Sequence, residues 1–168
     1  RRQRQMCIRD RSNGTEKKVV VVGGGPAGLE AARVSALRGH DVMLIEASSE
    51  LGGQVRLAAK SQVRKDLIGI VDWLSSEVMR LGVDIHWQQF ADHEMIEALK
   101  PDIVVVATGG APDIEYIKGG KLAHSTWDVL SGEALKIASG EEMVLVYDDH
   151  GQHQAASTVV ELAKRGFK

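Results

Sequence analysis

Apolar and polar positions along the chain switch repeatedly between two periods. Lys18 to Val22 is an apolar run rich in β-branched residues, and Ala27 to Arg38 carries apolar residues at helical spacing before Gly39, which predicts a strand followed by a helix. Asp41 to Ile45 is a second strand-like run ending on Glu46, and a glycine-containing loop, ASSELGGQVRLAAKSQ, follows it. Asp66 to Leu81 has the period of an amphipathic helix that stops at Gly82; Trp73, Leu74, Val78 and Leu81 fall at its core spacing. VDIHW predicts a short strand, and Asp92 is placed to cap a helix of about eight residues that Pro101 ends. DIVVVATGG, from Asp102, predicts a buried strand running into a glycine turn. Residues 110–140 read as loop with a helical piece near Ser125 to Leu130. The last unit then repeats the first: a strand, EEMVLVYDD, and a helix from about Gln154 to Arg165.

Runs of β-branched residues without polar alternation belong to strands covered on both faces, as in parallel sheets. Strands alternating with helices imply right-handed crossovers. The expected fold is therefore α/β, a Rossmann-like doubly wound parallel sheet, with a further strand expected after the last helix.

The first eleven residues change how composition is read. Five arginines there would suggest a basic arm. RRQRQMCIRD is, however, the translation of a transposase sequencing adapter, so residues 1–11 are read as non-native and set aside. Of 21 basic and 23 acidic residues, five arginines and one aspartate lie in that run, which leaves 16 against 22 and a net charge of −6. Nucleic acid is not an expected partner at that balance. The single cysteine, Cys7, lies in the same run, which leaves no disulfide, redox pair or thiolate metal site to expect. With no secretory signal and no apolar run near the ~20 residues of a membrane span, a soluble, cytoplasmic protein without a membrane partner is expected.

The candidate chemistry sits where the first strand hands over to the first helix. Gly23, Gly25 and Gly28 form Gly-x-Gly-x-x-Gly directly after a strand. In that context the first glycine makes the turn, the second lets backbone approach a diphosphate, and the third allows the helix to pack closely on the strand. Pro26 suits the first helical turn, and with Ala27 it completes the loop. The helix N-terminus then offers free N–H groups to an anion. Glu46, 18 residues after Gly28, ends the second strand, where a carboxylate accepts from ribose hydroxyls and repels a 2′-phosphate. Lys60 and Arg64 are further candidates for neutralising the diphosphate.

GGGPAGLEAA, Glu46, ELGGQ and VVVATGG, in that order, resemble the two-dinucleotide-binding flavoproteins. Within these the likeness is to the C-terminal region of the 2,4-dienoyl-CoA reductase, trimethylamine dehydrogenase and amine N-demethylase group of NADH:flavin oxidoreductase-like proteins, over Lys17 to Lys168. The resemblance implies FAD, or ADP alone, in this region, and a preceding barrel domain holding FMN and a [4Fe-4S] cluster. It implies that Gly53 and Gln54 lie along the flavin or its diphosphate, and that Ala107, Thr108 and Gly109 close over the dinucleotide. The backbone around Phe90 would meet the adenine. Residues 12–140 are then the FAD- or ADP-binding domain and 141–168 the start of a second, degenerate nucleotide-binding unit, in a chain truncated at both ends. The missing barrel, an electron-transfer carrier protein and further copies of the full-length chain are the implied partners. No catalytic side chain is named, because in that group the reacting centre lies upstream.

The second unit lacks the glycines. VYDDHGQHQAAS puts Asp148, His150 and His153 where Gly23, Gly25 and Gly28 stand in the first. Two like charges ~4 Å apart at an effective dielectric of ~20 repel by roughly 4 kcal/mol before screening, so Asp148 and Asp149 oppose a diphosphate there. Two histidines without a third ligand make no metal site. The expectation is an oxidoreductase acting on an amine or N-methyl substrate, with an NAD(P)H-dependent enoate reductase or a non-catalytic ADP-binding structural domain as alternatives.

Overall fold

The computed structural model describes residues 15–132, 143–148, 151 and 153–168. They form two compact units, one of residues up to Val55 with Ile68–Gly109 and one of Arg56–Leu67 with Gly110–Lys168.

The first unit is built on four parallel strands, β1 (Lys18–Val22), β2 (Asp41–Ile45), β3 (Asp84–His86) and β4 (Ile103–Val106), in the order β3-β2-β1-β4. Val22 lies opposite both Ile45 and Val106, and Ile45 opposite His86, so all four strands end level. β1, between β2 and β4, marks the point where strand order reverses, the place where such sheets bind ligands beyond their carboxyl ends.

Helix α1 (Pro26–Leu37) begins with Pro26 in its first turn and ends where Gly39 N donates to Ala36 O and His40 N to Ser35 O, the double bond of a glycine-closed helix end. Short helix α2 (Gln54–Ala59) falls inside what the sequence predicts as loop. A 3₁₀ turn (Lys65–Leu67) leads into α3 (Ile68–Arg80), which buries Val71, Leu74 and Val78. Leu74 and Val78 join Val19, Val21, Leu29 and Leu44 in the main core. Helix α4 (His93–Leu99) is capped by Asp92, whose Oδ1 accepts from Met95 N at 2.8 Å, and ends at Lys100. In the second unit α5 (Thr126–Ser131) carries a reciprocal Ser125–Asp128 cap and packs on α6 (His153–Lys164) around Val129 and Leu162. No helix among the described residues is long and apolar enough to cross a membrane.

Three expectations are corrected. Trp73 is not core: it is 54 % exposed, one residue off the Val71–Leu74–Val78 stripe. Its ring instead carries the guanidinium of Arg33, 5.2 Å from the centroid. That arginine, only 5 % exposed, is satisfied by both Glu30 oxygens at 2.7 Å. β4 is not buried on both faces, because it is the sheet edge among the described residues; Val106 is 74 % exposed. Residues 143–148 form no strand, and a strand exists only through a ladder partner. Among the described residues, Val144 N of this segment donates to Lys168 O at 2.9 Å.

Gly69 sits near the start of α3 with nothing within 4 Å of where a Cβ would stand. Gly69→Ala should raise stability by roughly 0.5–1 kcal/mol; an unchanged or lower denaturant midpoint would show that this position serves something other than the helix.

Candidate functional site

Level strand ends bring the loops after β1, β2, β3 and β4 to one edge of the first unit. The glycine loop, Gly23 to Gly28, lies over it. Gly23 has φ +103°, a conformation that side chains resist, and its N–H donates to Ile45 O at 2.8 Å. A Cβ on Gly23 would overlap the Ala107 carbonyl, and one on Gly28 would overlap the Gly23 carbonyl. These two glycines therefore exist for packing. Gly25 differs, because nothing lies within 4 Å of its Cβ position.

Gly25 is the N-cap of α1, and no side chain caps it. Leu29 N, bonded to Gly25 O at 2.9 Å, is the first intrahelical donor, so the N–H groups of Ala27 and Gly28 precede the ladder. Bare backbone N–H groups, a positive helix end and open space at the capping glycine together make a cradle for an anion. Gly53 closes one side, its Cβ position 3.4 Å from Gly25 Cα, and the turn before it is pinned by Gly52 N to Gly24 O at 2.8 Å. On the β4 side, Ala107 N extends the ladder to Val22 O at 2.8 Å, Thr108 is exposed, and the Cβ position of Gly109 lies 3.2 Å from Gln54 Nε2. Gly23, Gly25, Pro26, Ala27, Gly28, Gly53, Gln54, Ala107, Thr108 and Gly109 thus gather around one strand edge.

Glu46 supplies the site's charge. It is 9 % exposed, its Oε2 accepts from Gly24 N at 2.6 Å, and its Oε1 accepts from Ser48 N at 2.8 Å and Ser48 Oγ at 2.5 Å. Burial pushes its pKa up, but the Ser48 hydroxyl and the N–H groups of Ser48, Gly24 and Ala47 outweigh burial and hold it below the usual value. The backbone bond Gln89 N to Glu46 O, 2.9 Å, places Phe90 one residue from the acid's main chain, and the Phe90 side chain is 81 % exposed. His86 steadies that turn. Its Nε2 faces Asp84 Oδ2 at 2.9 Å and its Nδ1 faces Gln89 Oε1 at 3.0 Å. The bond to Asp84 raises its pKa most; partial burial opposes this, and the Asp84 charge and the Gln89 carbonyl add to it.

Sequence reasoning missed Gly24 and Ser48. A Cβ on Gly24 would press on the Glu46 carboxylate and the buried Leu51 side chain. The available signals were the third consecutive glycine and a hydroxyl two residues after the acid. Lys60 and Arg64 belong to the second unit, around a turn in which Arg64 N donates to Ser61 O at 2.9 Å. There too, Asp148 Oδ1 accepts from Gly151 N at 3.0 Å, and His153 opens α6; His150 lies outside the described residues.

A glycine loop on a helix N-terminus, facing an acid at the end of the neighbouring parallel strand, defines a dinucleotide-binding α/β domain. Residues 17–147 match the profile of the pyridine nucleotide-disulphide oxidoreductase family, and the chain belongs to that family. It is 48 % identical over 153 residues to a probable N-methylproline demethylase of Rhizobium meliloti, covering 90 % of this chain and 22 % of that protein. Among solved structures it resembles a 6-hydroxypseudooxynicotine amine oxidase of Pseudomonas geniculata N1, with a TM-score of 0.80 at 29 % identity over 91 % of this chain and 24 % of that one. It also resembles a 2-naphthoyl-CoA reductase, with a TM-score of 0.76 at 34 % identity over 92 % of this chain and 24 % of that one. The chain thus spans about a quarter of the length of these proteins.

Two stability tests follow from this geometry. Gly28→Ala should cost more than about 2 kcal/mol, since backbone cannot yield to its Cβ, whereas Gly25→Ser should melt no lower than the parent because serine is a good N-cap. Equal losses in the two variants would contradict the division of roles. The depressed Glu46 pKa contributes stability that is present above the unfolded value of about 4.3 and disappears as pH falls through the folded value. The raised His86 pKa contributes below about 6.5 and is lost as pH rises through its folded value. Denaturant midpoints from pH 3 to 9 should therefore fall at both ends, with Glu46→Gln flattening the acid limb and Asp84→Asn the neutral one.

Proposed function

We propose that this chain is the FAD- or ADP-binding region of a longer flavoprotein oxidoreductase that oxidises an amine or N-methyl substrate in a separate FMN-containing barrel with a [4Fe-4S] cluster. The observation that carries the nucleotide reading is the uncapped N-terminus of α1, open at Gly25 and flanked by the Glu46 carboxylate. A diphosphate would accept from the free N–H groups at Gly25, Ala27 and Gly28. Glu46 would accept from the adenosine ribose and repel a 2′-phosphate, and Gly53 and Gln54 would border the diphosphate. Thr108 and Gly109 would close the other side, with the Phe90 backbone against the adenine. When bound, FAD supplies two-electron redox chemistry; the residues here hold and orient it.

Two observations support the amine branch over the reductase branch. One is the N-methylproline demethylase likeness at 48 % identity. The other is Asp148, which puts a carboxylate in the second loop and binds it to that loop's own Gly151 N–H. The amine would then be the electron donor in place of NAD(P)H, and an electron-transfer carrier would accept the electrons. The 2-naphthoyl-CoA reductase likeness favours the second reading, an NAD(P)H-dependent reductase.

Purified full-length protein should release FAD or ADP on denaturation. Under anaerobic conditions its flavin absorbance should bleach with an N-methylated amine and not with NADH or NADPH. Bleaching by NAD(P)H alone would favour the reductase, and protein that releases no adenine nucleotide would refute the proposal.

A further inference from the structure

Ser48 lies outside the glycine loop and is exposed, yet the acid of the site is built on it. An ionised carboxylate offers roughly four acceptor positions. Ser48 N and Ser48 Oγ donate to Glu46 Oε1, Gly24 N donates to Oε2, and the Ala47 N–H adds to them. Ser48 alone thus supplies two donors to Oε1, while Oε2 is the oxygen joined to the glycine loop. The Glu50 carbonyl, 2.9 Å from the Ser48 hydroxyl, is the alternative acceptor for its one hydrogen.

We infer that Ser48 is a positioning residue, which fixes the Glu46 carboxylate so that Oε2, the oxygen joined to the glycine loop, meets a ribose hydroxyl of the bound nucleotide. This rests on the nucleotide reading above and deepens it. Without the hydroxyl, Oε1 has one donor fewer, and backbone N–H groups alone resist rotation of the carboxylate about its last torsion, a soft one. Burial, no longer opposed as strongly, then favours the protonated acid, which is a poorer acceptor. Threonine keeps the hydroxyl and should keep the arrangement.

The test uses the full chain, with ADP and 2′,3′-dideoxy-ADP as probes. Calorimetric affinities are measured between pH 5 and pH 8 for the parent, Ser48→Ala and Ser48→Thr, together with an NMR titration of the Glu46 carboxyl carbon without nucleotide. Ser48→Ala should weaken ADP about threefold at pH 8 and several-fold more at pH 5, on the scale of one lost hydrogen bond plus a raised carboxyl pKa. It should leave dideoxy-ADP affinity unchanged and move the carboxyl titration to higher pH. Ser48→Thr should match the parent on every count. The inference is overturned if Ser48→Ala weakens both probes equally or leaves the carboxyl titration in place. A parent that binds neither probe would overturn the nucleotide reading and this inference with it; a parent that binds both probes equally well would overturn the inference alone.

Discussion

The hydrogen bond from Gly24 N to Glu46 Oε2 is the joint on which the site turns. It connects the loop that follows β1 to the acid that ends β2, so the cradle at the helix end and the buried charge cannot be placed independently. Everything around it serves that joint. Strand ends level at Val22, Ile45 and Val106 bring the two loops into range. The absence of a Cβ at Gly24 keeps Leu51 and the carboxylate in place, and Ser48 supplies two further donors. A buried carboxylate is costly unless it is hydrogen-bonded, and here the donors are the site's own backbone and the Ser48 hydroxyl.

The three glycines of the fingerprint divide their labour unequally. Gly23 and Gly28 are packing residues, the first hemmed in by Ala107 and the second by Gly23, whereas Gly25 leaves space open. The ATGG turn therefore has a structural part within the first unit, since the Ala107 carbonyl is what excludes any side chain at Gly23. In the second unit the corresponding segment has a carboxylate, Asp148, bonded to a backbone N–H three residues on. A negative side chain near loop N–H groups competes with a phosphate for them. The two halves of the sequence pattern thus resemble each other in period and differ in charge.

Much of this was legible in the chain. β1 and β2 fall where unbroken apolar runs put them, because strands covered on both faces need no polar alternation. Asp92 caps α4 as its position predicts. What escaped reading depends on partners remote in sequence. Trp73 has helical spacing consistent with a core position, but the width of the stripe is set by α1, and Arg33 occupies the flank where Trp73 lies. β4 reads as buried from its valines alone, and its exposure is a property of its place at the sheet edge. Ser48 carries no motif, and its importance appears only once its hydroxyl is found on Glu46.

The most direct measurement is an amide NMR titration of the chain with ADP. If the first loop is the nucleotide site, the largest shifts should fall on Gly24, Gly25, Ala27 and Gly28 and on the Glu46–Ser48 segment, with Gly151 and the start of α6 unmoved. Shifts centred on Gly151 and α6, or none in the first loop at saturating ADP, would contradict it.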